Sequence, residues 1–212
     1  MSVSTARMKK IVAEICSLDP RFTSTIEASP LCTLGRNLRR GDAGQSHFAS
    51  LVESVISQQL AIKAADTIHS RLVILAKGKI TPARIAKISI EELRLAGVSG
   101  AKAKTLHGLA NAGLDGQISF DELHEIESDQ EIFQQLTSLW GIGPWTVDMF
   151  MMFQLGRLDI WPTGDLGVRR GWERIHRLKE EIEPKKLDIK GEKFRPYRSI
   201  VAWYCWRAVD NK

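Results

Sequence analysis

Residues 48–76, FASLVESVISQQLAIKAADTIHSRLVILA, set Leu51, Val55, Ile56, Leu60, Ala64, Ile68 and Leu72 at the spacing of one helix face. A strand cannot gather those residues on one side, because its side chains alternate with period two. The helical period recurs along the chain. TPARIAKI opens with Thr81 as a cap and Pro82 at the first helical position, and SIEELRLAG repeats the device from Ser89 and stops at Gly97. AKAKTLHGLANAG (101–113) and DQEIFQQLTSLWG (129–141) both end in glycine, as helices often do. PYRSIVAWYCWRAVD (196–210) is a last, aromatic-rich helical segment. Strand-like alternation is confined to short stretches near Cys32 and Leu34. The expectation is an all-α protein of about ten helices with short connections.

A chain of 212 residues is long enough for one large domain or two small ones sharing a core. At that size about 70% of the unfolded surface is buried on folding, so no disulfide staple is required. The three cysteines, Cys16, Cys32 and Cys205, have no paired spacing, which points to a reducing compartment and away from zinc or disulfide frameworks. They cannot supply the four thiolates of an all-cysteine iron–sulfur cluster. The start, MSVSTARMKKIVAEIC, lacks the apolar run of a signal peptide, and no later stretch approaches the roughly 20 apolar residues of a membrane span. A cytoplasmic, nucleoid-associated protein is expected, or a nuclear one in a eukaryote. The net charge of +5 permits an anionic partner without demanding one.

One stretch needs more than a packing explanation. LWGIGPWTVD (139–148) places Gly-Ile-Gly-Pro between helical segments, with no strand in front. Gly141 supplies the positive φ that ends a helix, Gly143 lets the backbone turn again, and Pro144 can begin the next helix. The result is a tight helical hairpin whose N–H groups point outward at a helix N-terminus, an array suited to phosphate. The carbonyls of Leu139 and Gly141 could hold a monovalent cation. An ordinary glycine-turned hairpin has the same pattern, and a P-loop is excluded because GxxxxGK[ST] is absent. The following segment, WTVDMFMMFQLG, is apolar nearly all round and is expected to be buried on most faces. Asp165 comes twenty residues beyond Trp145, after Asp159 and Pro162.

That order of Gly-x-Gly, helix and Asp-x-x-Pro-x-x-Asp resembles the helix-hairpin-helix DNA glycosylases of base excision repair. FASLVESVISQQLAIKAADTI is similar to the family's wedge-bearing helix-loop-helix and GVSGAKAKTL to its central helical turn. FRPYRSIVAWYCWRA is similar to the C-terminal helix of the 3-methyladenine branch. The resemblance implies a two-lobed helical fold with the active cleft between lobes and the hairpin at its edge. The lobes implied are residues 1–46 with 156–212, and 47–155, the hairpin unit occupying about 129–155. It also implies a monomer acting on double-stranded DNA that contains damaged bases, with no cofactor and no membrane partner. Some members carry an extra N-terminal domain, for which this chain is too short.

The same resemblance assigns residues. Asp165, whose plain role is the N-cap of the next helix, falls at the catalytic aspartate, which stabilises positive charge on the deoxyribose and orients or deprotonates water. Strand-cutting members carry a lysine where Trp145 stands. Tryptophan cannot form their Schiff base, so base removal without strand cleavage is expected. Trp145, Met149 and Met152 share one helix face, core packing being the plainer role for the methionines. Trp145, Met149, Trp161 and Trp206 are the candidate base pocket, an aromatic surface suited to a cationic alkylated base. Gln58, Gln59 and Leu60 join two helices, with Gln59 or Leu60 the candidate wedge beside a flipped nucleotide. Gly141, Ile142, Gly143, Trp145, Thr146 and Arg169 complete the candidate DNA contacts. Arg170, Lys102 and Lys104 could also reach phosphates, although exposed basic residues are commonly just solvated. Asp148 and Asp159 read as structural carboxylates. His47, His69, His107, His124 and His176 show no metal-ligand spacing.

The resulting expectation is a monofunctional glycosylase for alkylated purines: 3-methyladenine first, then 7-methylguanine, ethenoadenine or hypoxanthine. Its rivals are a glycosylase of the same fold for oxidised or mispaired bases, a non-catalytic helix-hairpin-helix module that only holds DNA, and a helical scaffold for protein partners.

Overall fold

The structure, a computed structural model, describes residues 3–35 and 46–210. Among them it contains twelve α-helices and no strand. These are α1 (Thr5–Leu18), α2 (Thr23–Glu27), α3 (His47–Ser57), α4 (Ile62–Leu75), α5 (Pro82–Ile85) and α6 (Ile90–Leu95). They continue as α7 (Gly100–Leu114), α8 (Asp129–Thr137), α9 (Pro144–Met149), α10 (Leu166–His176), α11 (Pro184–Gly191) and α12 (Arg198–Asp210). The capping signals act as the sequence suggests. Thr81 accepts from the Arg84 N–H with Pro82 at the helix start, and Ser89 and Glu92 form a reciprocal capping box. No strand forms at Cys32 or Leu34; both are buried in irregular chain.

Two of the segments differ from their sequence reading. The 129–141 helix stops at Thr137, three residues before Trp140, and the chain then descends to Gly141 at φ +84°. The 48–76 pattern breaks at residues 58–61, where Gln59 takes a left-handed φ of +56°. Past that break the apolar stripe changes register. Leu60 and Ala64 face outward, whereas Ala65 and Leu72 are buried.

The chain divides into two compact units, Met1–Arg39 with Met151–Lys212, and Arg40–Phe150. In the second, α3 buries Phe48, Leu51, Val52, Val55 and Ile56, and α7 buries Leu106, Leu109 and Ala110. Burial of each of the Val, Leu, Ile and Phe side chains contributes about 1.5–3 kcal/mol.

The first unit is organised by α10 against α12. The two backbones approach so closely at Gly171 that a Cβ there would lie 1.9 Å from the Cys205 carbonyl oxygen. Phe22, Trp172, His176 and Phe194 form an aromatic cluster, with His176 stacked on Trp172 at 3.9 Å between centroids. The start of α12 is fastened by Arg198, whose Nε donates to Asp159 Oδ1 at 2.8 Å. Asp159 therefore anchors α12 as an ion-pair acceptor as well as lying in the turn before Pro162.

Asp19 is buried beside that cluster and accepts from Arg21 Nε at 2.7 Å, His176 Nε2 at 3.0 Å and Lys193 Nζ at 3.0 Å. Burial pushes the carboxyl up, but the bonds from Arg21, Lys193 and His176 together hold it well below the ordinary carboxylate range. A depressed carboxyl adds stability above its unfolded-state pKa, and loses it as pH falls through the folded value. Asp19→Asn is accordingly expected to lower the melting temperature at pH 7. The gap to wild type should close as the pH falls below about 4 in melts across an acid series.

Candidate active site

Asp165 lies at the point where the Pro162–Gly164 turn enters α10. Its φ of −72° and ψ of 125° make it the N-cap, and its Oδ1 accepts from the Val168 N–H at 2.8 Å. The same oxygen accepts from the indole Nε1–H of Trp206 on α12, also at 2.8 Å. Two donors from two helices thus meet on one carboxylate oxygen, at a helix end whose dipole favours negative charge. The indole can come that near because residue 167 has no side chain. A Cβ on Gly167 would lie 2.7 Å from Trp206 Cδ1. Arg169, one turn further along α10, is half-buried and its Nε has no hydrogen-bond partner among the described residues.

The segment after the hairpin is less buried than its composition suggests. α9 passes at Phe150 into a π-helical turn, Phe150–Gln154, and such turns often occur at functional sites. Met152 is fully buried and Met149 half-buried, whereas Trp145 is 48% and Phe153 54% exposed. Phe153 stacks on Trp206 at 5.8 Å with 28° between ring planes. Trp161 corrects the base-pocket expectation. It is 9% exposed, its indole N–H donates to the Leu187 carbonyl at 3.1 Å, and it fills the space left by Gly191. No broad face of Trp161 is available for stacking, so it is a core residue.

In the second unit the hairpin is set on α7. Gly141 needs its glycine twice: for its φ of +84°, and because a Cβ would meet Thr105 Oγ1 at 2.0 Å. Ile142 is buried and donates to the Leu139 carbonyl at 3.1 Å, and Gly143 caps α9 ahead of Pro144. The 58–60 loop is tied to this hairpin. Gln58 Nε2 donates to Thr146 Oγ1 at 3.0 Å, while Gln59 and Leu60 face outward.

The basic residues divide by what they already hold. Lys102 Nζ donates to the carbonyls of Ile56 and Gln58 at 2.8 and 2.7 Å, neutralising the C-terminal end of α3, and burial lowers its pKa. It is therefore a structural cap of the loop rather than a phosphate contact. Lys102→Met is expected to lower stability by about 1.5 kcal/mol, the low end for a charged hydrogen bond because the side chain is half-exposed. Urea unfolding would measure that loss. Arg170 is engaged by Glu173 and Glu181. Lys104 lies 4.4 Å above the exposed Trp140 ring.

Two contacts of the site were absent from the sequence reading. Phe153 sat in an apolar run with no periodic cue to its exposure. Gly167 carried a usable signal: with Gly171 it forms a small-residue pair at i, i+4, the mark of a helix that another element approaches closely. No cluster of three or more His, Cys, Asp or Glu able to hold a metal occurs among the described residues. No described helix is long and apolar enough to cross a membrane.

Comparison with known proteins identifies the family and the fold. The profile of the HhH-GPD superfamily of base excision DNA repair proteins matches residues 52–196. A Schizosaccharomyces pombe protein named DNA-3-methyladenine glycosylase 1 is 37% identical over 163 residues, covering 76% of this chain and 71% of its own length. A crystal structure of DNA-3-methyladenine glycosidase from Bacillus halodurans has a TM-score of 0.81 and 34% identity, over 98% of this chain and 91% of that one. The structure of the Schizosaccharomyces pombe 3-methyladenine DNA glycosylase in complex with abasic DNA has a TM-score of 0.78 and 31% identity. It covers 93% of this chain and 95% of its own.

Proposed function

The chain belongs to the HhH-GPD superfamily of base excision DNA repair proteins, and from that premise we propose that it is a DNA glycosylase for alkylated purines. It hydrolyses the N-glycosidic bond of a base flipped out of double-stranded DNA, with 3-methyladenine the leading substrate and 7-methylguanine, ethenoadenine and hypoxanthine further ones. The observation that carries the reading is the carboxylate of Asp165, held at the start of α10 by Val168 and Trp206. The aligned relatives are 3-methyladenine glycosylases by name.

The chemistry follows from charge. As the base leaves, positive charge grows on the deoxyribose, and a fixed carboxylate nearby stabilises it more in the transition state than in the ground state. The same carboxylate orients the water that attacks the sugar and accepts its proton. Methylation at N3 of adenine or N7 of guanine makes the purine cationic and its bond to the sugar weak, so for these two bases little protonation of the leaving group is needed. The exposed ring of Trp145 in the second unit and that of Phe153 in the first are each of the kind that attracts such a base by stacking and cation–π contact.

DNA is held by the hairpin from Gly141 to Thr146, whose N-terminal helix end suits phosphate, and by the guanidinium of Arg169 on α10. Gln59 or Leu60, both outward-facing in a loop braced by Gln58 and Lys102, fills the gap left by the flipped nucleotide. The carbonyls of Leu139 and Gly141 are neutral oxygen donors, the kind a hard monovalent cation would take at this turn. The protein works as a monomer among DNA-bound proteins.

Trp145 stands in place of the lysine nucleophile, so the product is an intact strand with an abasic site. Incubation with alkylated duplex, divided between neutral and hot-alkali work-up, is expected to show strand breaks only after alkali. Borohydride should trap no protein–DNA adduct. A trapped adduct, or cleavage at neutral pH, would refute the hydrolytic reading.

A further inference from the structure

We propose that Trp206 is a positioning residue for Asp165, fixing the carboxylate through its indole N–H, and is not simply a surface on which the base stacks. The inference rests on Asp165 being the catalytic carboxylate. Three observations converge on it. The indole Nε1 donates to Asp165 Oδ1 at 2.8 Å, the oxygen that also accepts from Val168. Gly167 lies beneath the indole, where any Cβ would come within 2.7 Å of its ring. The ring of Phe153 stacks over Trp206 at 5.8 Å, which denies a base that part of the indole.

The helix pair supplies the rigidity. The Gly171–Cys205 approach holds α12 against α10 one turn beyond Gly167, so Trp206 and Asp165 cannot drift apart while the backbones stay in contact. With two donors on Oδ1, rotation of the carboxylate about its Cβ–Cγ bond breaks one bond or both. The direction of the second oxygen is then set before DNA arrives. Such pre-organisation raises the rate of the chemical step, because a misplacement of about 1 Å can cost 10²-fold.

The test isolates the N–H from the ring. Single-turnover release of 3-methyladenine from duplex DNA would be measured for wild type, Trp206→Phe, and protein carrying 3-benzothienylalanine at 206, in which sulfur replaces the N–H. Each would also be measured with Asp165→Asn, alongside affinity for an abasic-analogue duplex and the melting temperature. Removal of the N–H is expected to lower the rate about 10- to 100-fold, the effect of one hydrogen bond to a charged group. Affinity should hold and the melting temperature should fall by only a few degrees, the cost of one charged hydrogen bond. The rate loss should shrink below about 3-fold once Asp165 is Asn, since coupled residues are non-additive.

An unchanged rate for the benzothienyl protein overturns the positioning role. So does a loss that appears as weaker DNA affinity, or one that persists in full beside Asp165→Asn, which would place Trp206 on the base itself. If Asp165→Asn alone keeps the wild-type rate, the catalytic reading fails and the positioning role falls with it. A slow Asp165→Asn beside a fast benzothienyl protein removes only the positioning role.

Discussion

Asp165→Asn is expected to reduce base release by about 10²- to 10⁴-fold, the contribution of a positioned acid–base group, while leaving the fold intact. The fold survives because asparagine is as good an N-cap as aspartate and keeps an oxygen where the Val168 N–H donates. In the proposed role, what it would lose is the full negative charge opposite the developing sugar cation and the ability to take a proton from water. DNA affinity should change little, because phosphate contacts lie on other residues. Asp165→Ala separates the two roles: it should lose the same activity and also about 1 kcal/mol of stability from the missing cap. Single-turnover kinetics with matched melts check both variants. Wild-type release by Asp165→Asn would remove Asp165 from the chemistry.

Gly171→Ala is the substitution expected to damage the fold most. The added Cβ would sit 1.9 Å from the carbonyl oxygen and 2.3 Å from the carbonyl carbon of Cys205, so backbone has to move and no rotamer change relieves it. Separating α10 from α12 enough to admit a methyl group should cost about 3 kcal/mol, the upper end for overpacking. In a chain of this size that corresponds to a fall of about 10 °C in melting temperature. Gly108→Ala is the matched control. It lies within α7, and an added methyl group there would meet nothing within 4 Å, so it should be neutral or stabilising by up to about 1 kcal/mol. A Gly171→Ala protein that melts with wild type would mean α10 and α12 are not held as closely as described.

The helices were legible wherever their ends carry a local signal. Thr81–Pro82, the Ser89–Glu92 capping box and the Gly141 turn all act in the structure as their side chains suggest, because caps and positive-φ glycines involve only neighbouring backbone. The break at 58–61 was legible as a loop but not in its consequence. A single left-handed residue at Gln59 rotates the next helix, so Leu60 and Ala64 leave the stripe they had seemed to share with Leu51.

At the site, Asp165 could be read as a cap and, by its spacing, as a candidate acid. Its second donor could not. Trp206 is 41 residues away, and only the α10–α12 contact brings the two together. Trp161 shows the converse error: tryptophan content suggests a binding surface, but an indole with an internal carbonyl partner belongs to the core. Charge was least legible of all. Lys102 and Arg169 look alike in sequence, yet one is committed to two carbonyls and the other has a guanidinium nitrogen that no described residue engages.

The central claim is that this protein hydrolyses alkylated purines from DNA, and the most direct measurement is chromatographic detection of free base from methylated duplex. The account predicts 3-methyladenine in the soluble fraction, rising with time and with protein, while the strand stays whole. DNA that is bound in a salt-dependent way and yields no free methylated base would contradict it.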